Sequence, residues 1–233
     1  ANDFIVKPTV TNLQAATVYY YRFSTPNKLN FTGLPYQSLT GRAKTLPLEN
    51  AEASTVGSLK FALTSCSSFP HGFFNAYRQM ARFDDLDAVL HMGDYIYDYP
   101  GIVEGGENPN DYGDTAAVEQ GRIYRYGNRT ETISLADYRL RFRNYREDAD
   151  LQLIHSRYAF INTWDDHETA NDSYDPDADG SEGGAENHND RGGAAGLWKP
   201  REAAAGDAYN EWLPITDVRG PGTSAYNDPR LNR

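Results

Sequence analysis

Leu86-Asp87-Ala88-Val89-Leu90-His91-Met92-Gly93-Asp94-Tyr95-Ile96-Tyr97 opens as an apolar, β-prone run and ends in a glycine, a carboxylate and two tyrosines. About seventy residues on, the design repeats. Tyr158 to Trp164 is again apolar and β-prone, and it leads straight into Asp165-Asp166-His167-Glu168. Upstream, Leu59 to Cys66 is a third such run, closed by the chain's one cysteine. Short apolar runs bounded by turn residues predict buried strands. Phe73 to Phe83 lies between Cys66 and Leu86 and carries Phe74, Tyr77, Met80 and Ala81 at helical spacing. Leu135 to Asp148 precedes the last strand and predicts a helix, with Ser134 as N-cap and Ser-Leu-Ala-Asp as a loose capping box. The order strand, helix, strand, helix, strand predicts an α/β fold with a largely parallel or mixed sheet and helices outside it. In such folds the loops at the carboxyl ends of the strands deliver functional side chains.

A chain of 233 residues suffices for one sizeable domain or two small ones. Its net charge of −11 and pI near 4.8 disfavour nucleic acid and anionic membranes as partners. Local carboxylates can still collect divalent cations, which then attract anionic substrates. A single cysteine excludes an internal disulfide and any cysteine cluster for zinc or iron–sulfur. No run of eighteen apolar residues spans a membrane, and no signal peptide is visible. Residues 1–47 read as all-β, led by Val18-Tyr19-Tyr20-Tyr21-Arg22-Phe23 and cut into short strands by Pro26, Asn27, Gly33 and Pro35. The sequence around Leu13, Thr17 and Tyr19 or Tyr21 resembles the penultimate strands of a fibronectin type III- or immunoglobulin-like domain, about half of which is present. Residues 48–57 are small and polar and suit a linker. From residue 58 to 233 the α/β pattern takes over. After Asp172 the composition turns to Asp, Gly, Ala, Asn and Ser, which predicts a long, mobile surface loop over 172–196 near the mouth of the site. Trp198 to Tyr209 predicts a short helix, weakened by Gly206.

The strand ends carry the chemistry. By itself, Gly93-Asp94 reads as an ordinary strand-to-loop turn. Tyr97 three residues later can reach the same point, and a phenolate is a strong ligand for a hard ferric ion; a partly buried loop aromatic is the other reading. Cys66 is either a small buried hydrophobe or a ligand on the same sheet edge. Asp165 and Asp166 repel each other, and a cation relieves the repulsion. Adjacent side chains of an extended segment point to opposite sides. Asp166 then faces the metals, while Asp165 faces their surroundings or another cation. His167 suits a proton donor to a leaving group. Glu168 and Asn171 are oxygen donors able to support the site. His91 inside a strand reads as packed. The arginines from Arg139 to Arg146 either approach an anionic substrate or stay solvated and pair with nearby carboxylates.

Four segments carry a family resemblance: Thr64-Ser65-Cys66, His91 to Tyr99, Leu135-Ala136-Asp137-Tyr138-Arg139, and Thr163 to Asp172. With them the chain resembles the PhoD-type alkaline phosphatase/phosphodiesterase family over most of residues 10–175. The resemblance implies a metallophosphatase-like α/β sandwich preceded by an immunoglobulin- or fibronectin-like β domain. It implies ferric iron with calcium as cofactors, and Cys66, Asp94 and Tyr97 as ligands converging at one sheet edge. Asp166 looks like the metal-binding neighbour of a catalytic histidine, which His167 matches; Asp165 and Asn171 fall on the calcium side or behind it. The implied reaction is attack of a metal-bound hydroxide on the phosphorus of a small phosphomonoester or phosphodiester, in the periplasm or outside the cell. Family members continue for a few hundred residues past the Trp-Asp-Asp-His-Glu motif, with another carboxylate and a Gly-Asp-x-His-like segment. This chain therefore corresponds to an N-terminal portion, with the remainder as the same or a separate chain. Alone it is expected to leave an unpaired sheet edge and an open apolar face. The competing readings are a non-catalytic exported binding or assembly module, and a purple-acid-phosphatase-like enzyme, which would lack the Cys66 ligand and carry Asn in place of Asp166.

Overall fold

The computed structural model describes residues 3–29, 33–100, 117, 119–125, 131–173 and 198–215. The N-terminal β-rich stretch forms two antiparallel pairs. Strand β1 (Val18–Tyr21) pairs with β4 (Gly41–Lys44), and β2 (Ser24–Leu29) pairs with β3 (Pro35–Gln37). The aromatic run thus forms the strand its composition predicts. Many side chains here, such as Tyr20 and Leu46, face solvent, and the pairs do not by themselves establish an immunoglobulin-like domain. A single helical turn, α1 (Ala53–Val56), sits in the 48–57 linker.

Strands β5 (Phe61–Thr64), β6 (Ala88–His91) and β7 (Ala159–Asn162) form one parallel sheet in that order. In register, Ala62, Val89 and Phe160 make one row, and Leu63, Leu90 and Ile161 the next. Successive strand residues alternate in direction, so the two rows face opposite ways. The first row enters the core, where Val89 and Phe160 join Tyr77, Phe142, Leu151 and Ile154. Those partners come from helices α2 (Asn75–Met80), α3 (Leu135–Arg146) and α4 (Ala149–Arg157). The opposite face stays open among the described residues: Phe61 is 48% exposed, Leu63 65% and Ile161 56%.

Strands β5 and β6 stop short of the ends of their apolar runs because the backbone turns there. Cys66 has φ 56°, Gly93 103° and Asp94 54°, values incompatible with an extended strand. The capping box of α3 is present: Ser134 Oγ accepts from the Asp137 amide at 3.3 Å, and Asp137 Oδ2 accepts from the Ser134 amide at 2.8 Å. The helix ends earlier than expected, and α4 starts anew behind Asp148, whose Oδ1 accepts from the amides of Asp150 and Leu151 at 2.9 Å. Helix α5 (Trp198–Trp212) runs past the expected end at Tyr209 and packs on α3, with Phe142 and Trp212 stacked at 6.3 Å. Gly206 does not end it. The predicted loop at 172–196 lies outside the described residues from 174 on, as does His188. Among the described residues, no helix is long and apolar enough to cross a membrane.

Candidate metal centre

Three strand ends meet through hydrogen bonds to backbone amides. The amides of Cys66 and Ser67 donate to the carbonyls of Gly93 and Asp94 at 3.2 and 2.8 Å, which joins the loop after β5 to the loop after β6. The buried Glu168 carboxylate accepts from the amides of Asp94, Tyr95 and Asp165 at 3.1, 2.5 and 2.8 Å, which joins the loop after β7 to the same point. Burial pushes Glu168 up to about 8, against the pull of those amides. Gly93 lies directly against Asp165: a Cβ there would sit 2.4 Å from Asp165 Cβ.

This junction gathers Asp94, Asp166 and His167, whose potential ligand atoms lie within 4.8 Å of one another. Tyr97 donates its hydroxyl to Asp94 Oδ2 at 3.3 Å. Cys66 is exposed rather than packed in the core. Of the sequence-predicted residues, Asp94, Asp166 and His167 come together, Tyr97 touches Asp94, and Cys66 lies outside the three-residue group on the loop bonded to Gly93. Asp165 is exposed and outside the three-residue group, where its backbone opens the short 3-10 turn Asp166–Glu168. Asn171 donates to Asp172 Oδ2 at 2.6 Å, and the Asp172 amide donates to Asp166 Oδ2 at 2.6 Å. Burial raises the Asp94 carboxyl above the usual range; Asp166 and Asp165 push it the same way, while His167 and Cys66 pull it down. A cation would relieve this crowding of carboxylates.

His167 is held on every side. Its Nδ1 meets Asp98 Oδ1 at 2.7 Å, its ring stacks on Tyr97 at 4.0 Å between centroids, and Tyr99 approaches edge-on at 5.1 Å. Burial alone would lower the imidazole, but the hydrogen bond and charge of Asp98, reinforced by Asp166 and Asp94, raise it overall. With Nδ1 committed to Asp98, Nε2 is the ring nitrogen left to act. His91 is packed as expected; its Nε2 meets Ser67 Oγ at 3.1 Å and Tyr77 Oη at 3.0 Å.

The sequence reading missed Asp98, although it lies in the same tyrosine-rich run as Asp94. It also missed Arg141, which is buried and donates to the carbonyls of Tyr97 and Tyr99, so that it props the loop carrying Tyr97 and Asp98. Arg139 and Arg143 do pair with carboxylates, those of Glu211 and Glu147. Nothing local distinguishes Arg141 from these neighbours, because only its position on the buried side of α3 sets its role.

Comparison with known proteins agrees with this geometry. A family model described as PhoD-like phosphatase matches residues 61–230. Alkaline phosphatase D of Bacillus subtilis (strain 168) is 36% identical over 203 residues, which are 87% of this chain and 29% of that protein. A solved structure, described as the structure of PhoD, matches with a TM-score of 0.65 and 34% identity, over 88% of this chain and 32% of that one. The chain thus spans less than a third of the length of these relatives.

Proposed function

The chain belongs to the PhoD-like phosphatase family, and from that premise we propose that it forms part of a phosphoester hydrolase acting on small phosphomonoesters or phosphodiesters. The observation that carries this reading is the junction of three strand ends, where Asp94, Asp166 and His167 lie within 4.8 Å of one another and Asp98 holds the imidazole. A carboxylate touched by a phenol, with the cysteine's loop bonded alongside, suits ferric iron, and further oxygen donors suit calcium. We assign Cys66, Asp94 and Tyr97 to iron, and Asp166, with Asp165 and Asn171, to calcium. Cations bound there would offset the charge building on the phosphoryl oxygens and supply a nucleophile from water near neutral pH.

The chain's own groups do the rest. Without cations the carboxylates would repel a phosphoester, so substrate binding depends on their being loaded. Glu168 locks the loops after β6 and β7 together and fixes Asp94 relative to Asp166. His167 presents Nε2 to the leaving oxygen and gives it a proton as the P–O bond breaks. Asp98 holds Nδ1, which fixes the ring's orientation and the nitrogen that donates. Export to the periplasm or the medium is part of the same proposal, in keeping with calcium as a cofactor.

The test is metal analysis of the purified full-length enzyme, together with phosphate release from a nitrophenyl monoester and diester. Iron and calcium should co-purify, with a visible ferric charge-transfer band. His167→Asn should lower kcat by about 10²–10⁴ while the metal content stays. Absence of both iron and phosphate release would overturn the reading.

A further inference from the structure

Asp98 holds His167 with one oxygen; its other oxygen, Oδ2, is buried and makes no hydrogen bond among the described residues. What faces that oxygen is a guanidinium. Arg201 Nη2 lies 3.6 Å from Asp98 Oδ2. Arg201 stands near the start of α5, with a side chain 0% exposed. The same Nη2 donates to Glu131 Oε1 at 2.7 Å and to the Thr169 carbonyl at 3.4 Å. Its Nε donates to the hydroxyl of Tyr138 at 3.1 Å, and that hydroxyl donates to the Thr169 carbonyl at 2.5 Å. One buried guanidinium therefore touches the loop after β6 at Asp98, the approach to α3 at Glu131, α3 itself at Tyr138, and the turn after β7 at Thr169. Thr169 is two residues beyond His167, so Arg201 grips both the partner of the imidazole and the backbone that carries it.

A cation shared between two carboxylates in a buried site is costly to assemble and costly to break. Fold stability alone does not require it to sit behind the histidine's partner. We propose that Arg201 is a positioning residue for the reaction: it fixes the Asp98 carboxylate and the Thr169 backbone, and through them the direction in which His167 Nε2 delivers its proton. This rests on the phosphoester hydrolase reading above. In the step concerned, a water oxygen bonds to phosphorus and the bond to the leaving oxygen breaks. The electron pair stays on that oxygen, which takes the Nε2 proton. The proton lost by the water restores the imidazole.

A merely structural arginine and a positioning arginine differ in how they treat leaving groups. A nitrophenolate leaves readily without a proton, whereas an alkoxide does not. The experiment compares kcat for a nitrophenyl ester and an alkyl ester in the full-length, metal-loaded enzyme. Arg201→Gln should lower kcat on the alkyl ester about tenfold more than on the nitrophenyl ester, part of the 10²–10⁴ that proton transfer supplies, with KM little changed. Asp98→Asn should show the same split, and the double variant should be no worse than Asp98→Asn alone, as expected of two residues acting through one group. Arg201→Lys, which keeps the charge but not the fork, should show a smaller split in the same direction; it carries the test if Arg201→Gln fails to fold. Arg139→Ala, which breaks the ion pair with Glu211 between α3 and α5 away from Asp98, should leave the ratio unchanged. Equal losses on both esters in the Arg201 variants would overturn the proposal. A wild-type enzyme that hydrolyses neither ester would overturn the parent reading instead, before any substitution is made.

Discussion

Gly93 has no room for a side chain. Its φ of 103° is in the region that favours glycine, and a methyl group would fall 2.4 Å from Asp165 Cβ and 2.8 Å from its amide nitrogen. Gly93→Ala should therefore cost roughly 1–3 kcal/mol of stability and separate the loops that carry Asp94 and Asp166. Urea denaturation and bound iron should fall together in this variant. That a glycine turns the chain here is legible in the sequence; that its missing side chain admits Asp165 is not, because the pairing of β6 with β7 brings together residues some seventy positions apart. The same holds for Asp98, whose role appears only once His167 lies across from it. His91 gives a pH prediction at this scale. Burial lowers its imidazole from 6.5 to about 4, and burial also holds His155 well below its ordinary value. Between these limits the unfolded chain takes up protons that the folded chain refuses. Their contribution to stability is thus full above pH 6.5 and is lost as pH falls towards 4, by at most about 1.4 kcal/mol per pH unit for each group. The thermal midpoint should drop across that window, and His91→Gln should flatten the slope. An unchanged slope in that variant would rule His91 out as a source.

The helices divide into those written locally and those set by distant partners. The start of α3 was legible because a capping box needs only residues 134–137. The break between α3 and α4 was not, since Asp148 reads as the last polar residue of one helix and not as the cap of the next. In the fold Asp148 caps α4 and also pairs with the buried Arg122, their side chains 8% and 5% exposed. Arg122 in turn lies 3.5 Å from the centre of the Phe69 ring and donates to the Phe69 and Gly72 carbonyls. The two caps should therefore differ in cost. Ser134→Ala at the exposed box should lose about 1 kcal/mol. Asp148→Ala should lose about 3 kcal/mol or more, because it strands a buried cation as well as two amides. Urea midpoints for the two variants check the ordering; equal costs would mean that the Arg122 pair contributes nothing. Helix α5 belongs to the second kind. Its Ala-rich stretch announced a helix, but its length past Gly206 depends on packing against α3 and on the Arg139–Glu211 pair at 2.6 Å.

At the scale of the molecule the sheet is covered on one side among the described residues. Parallel sheets are normally buried on both faces, and here the helices pack on the side of Val89 and Phe160. Phe61, Leu63 and Ile161 remain exposed on the other. Alternation along three apolar strands made an open face foreseeable, whereas the choice of covered face depends on where α2, α3 and α4 return. Burying each such side chain is worth about 1.5–3 kcal/mol, a strong incentive for the open face to find a cover. The relatives this chain matches are roughly three times as long, and we expect their additional sequence to supply it. Residues 1–233 expressed alone should then associate through this face and release little phosphate, even with iron and calcium supplied. Leu63→Gln combined with Ile161→Gln should shift that isolated chain towards monomer in light scattering. In the longer enzyme the same pair should lower the melting temperature, because there it would place two amides in a core. If the unmodified 233-residue chain instead ran as a homogeneous monomer with full turnover, the face would need no cover and the residues described would suffice to close the site.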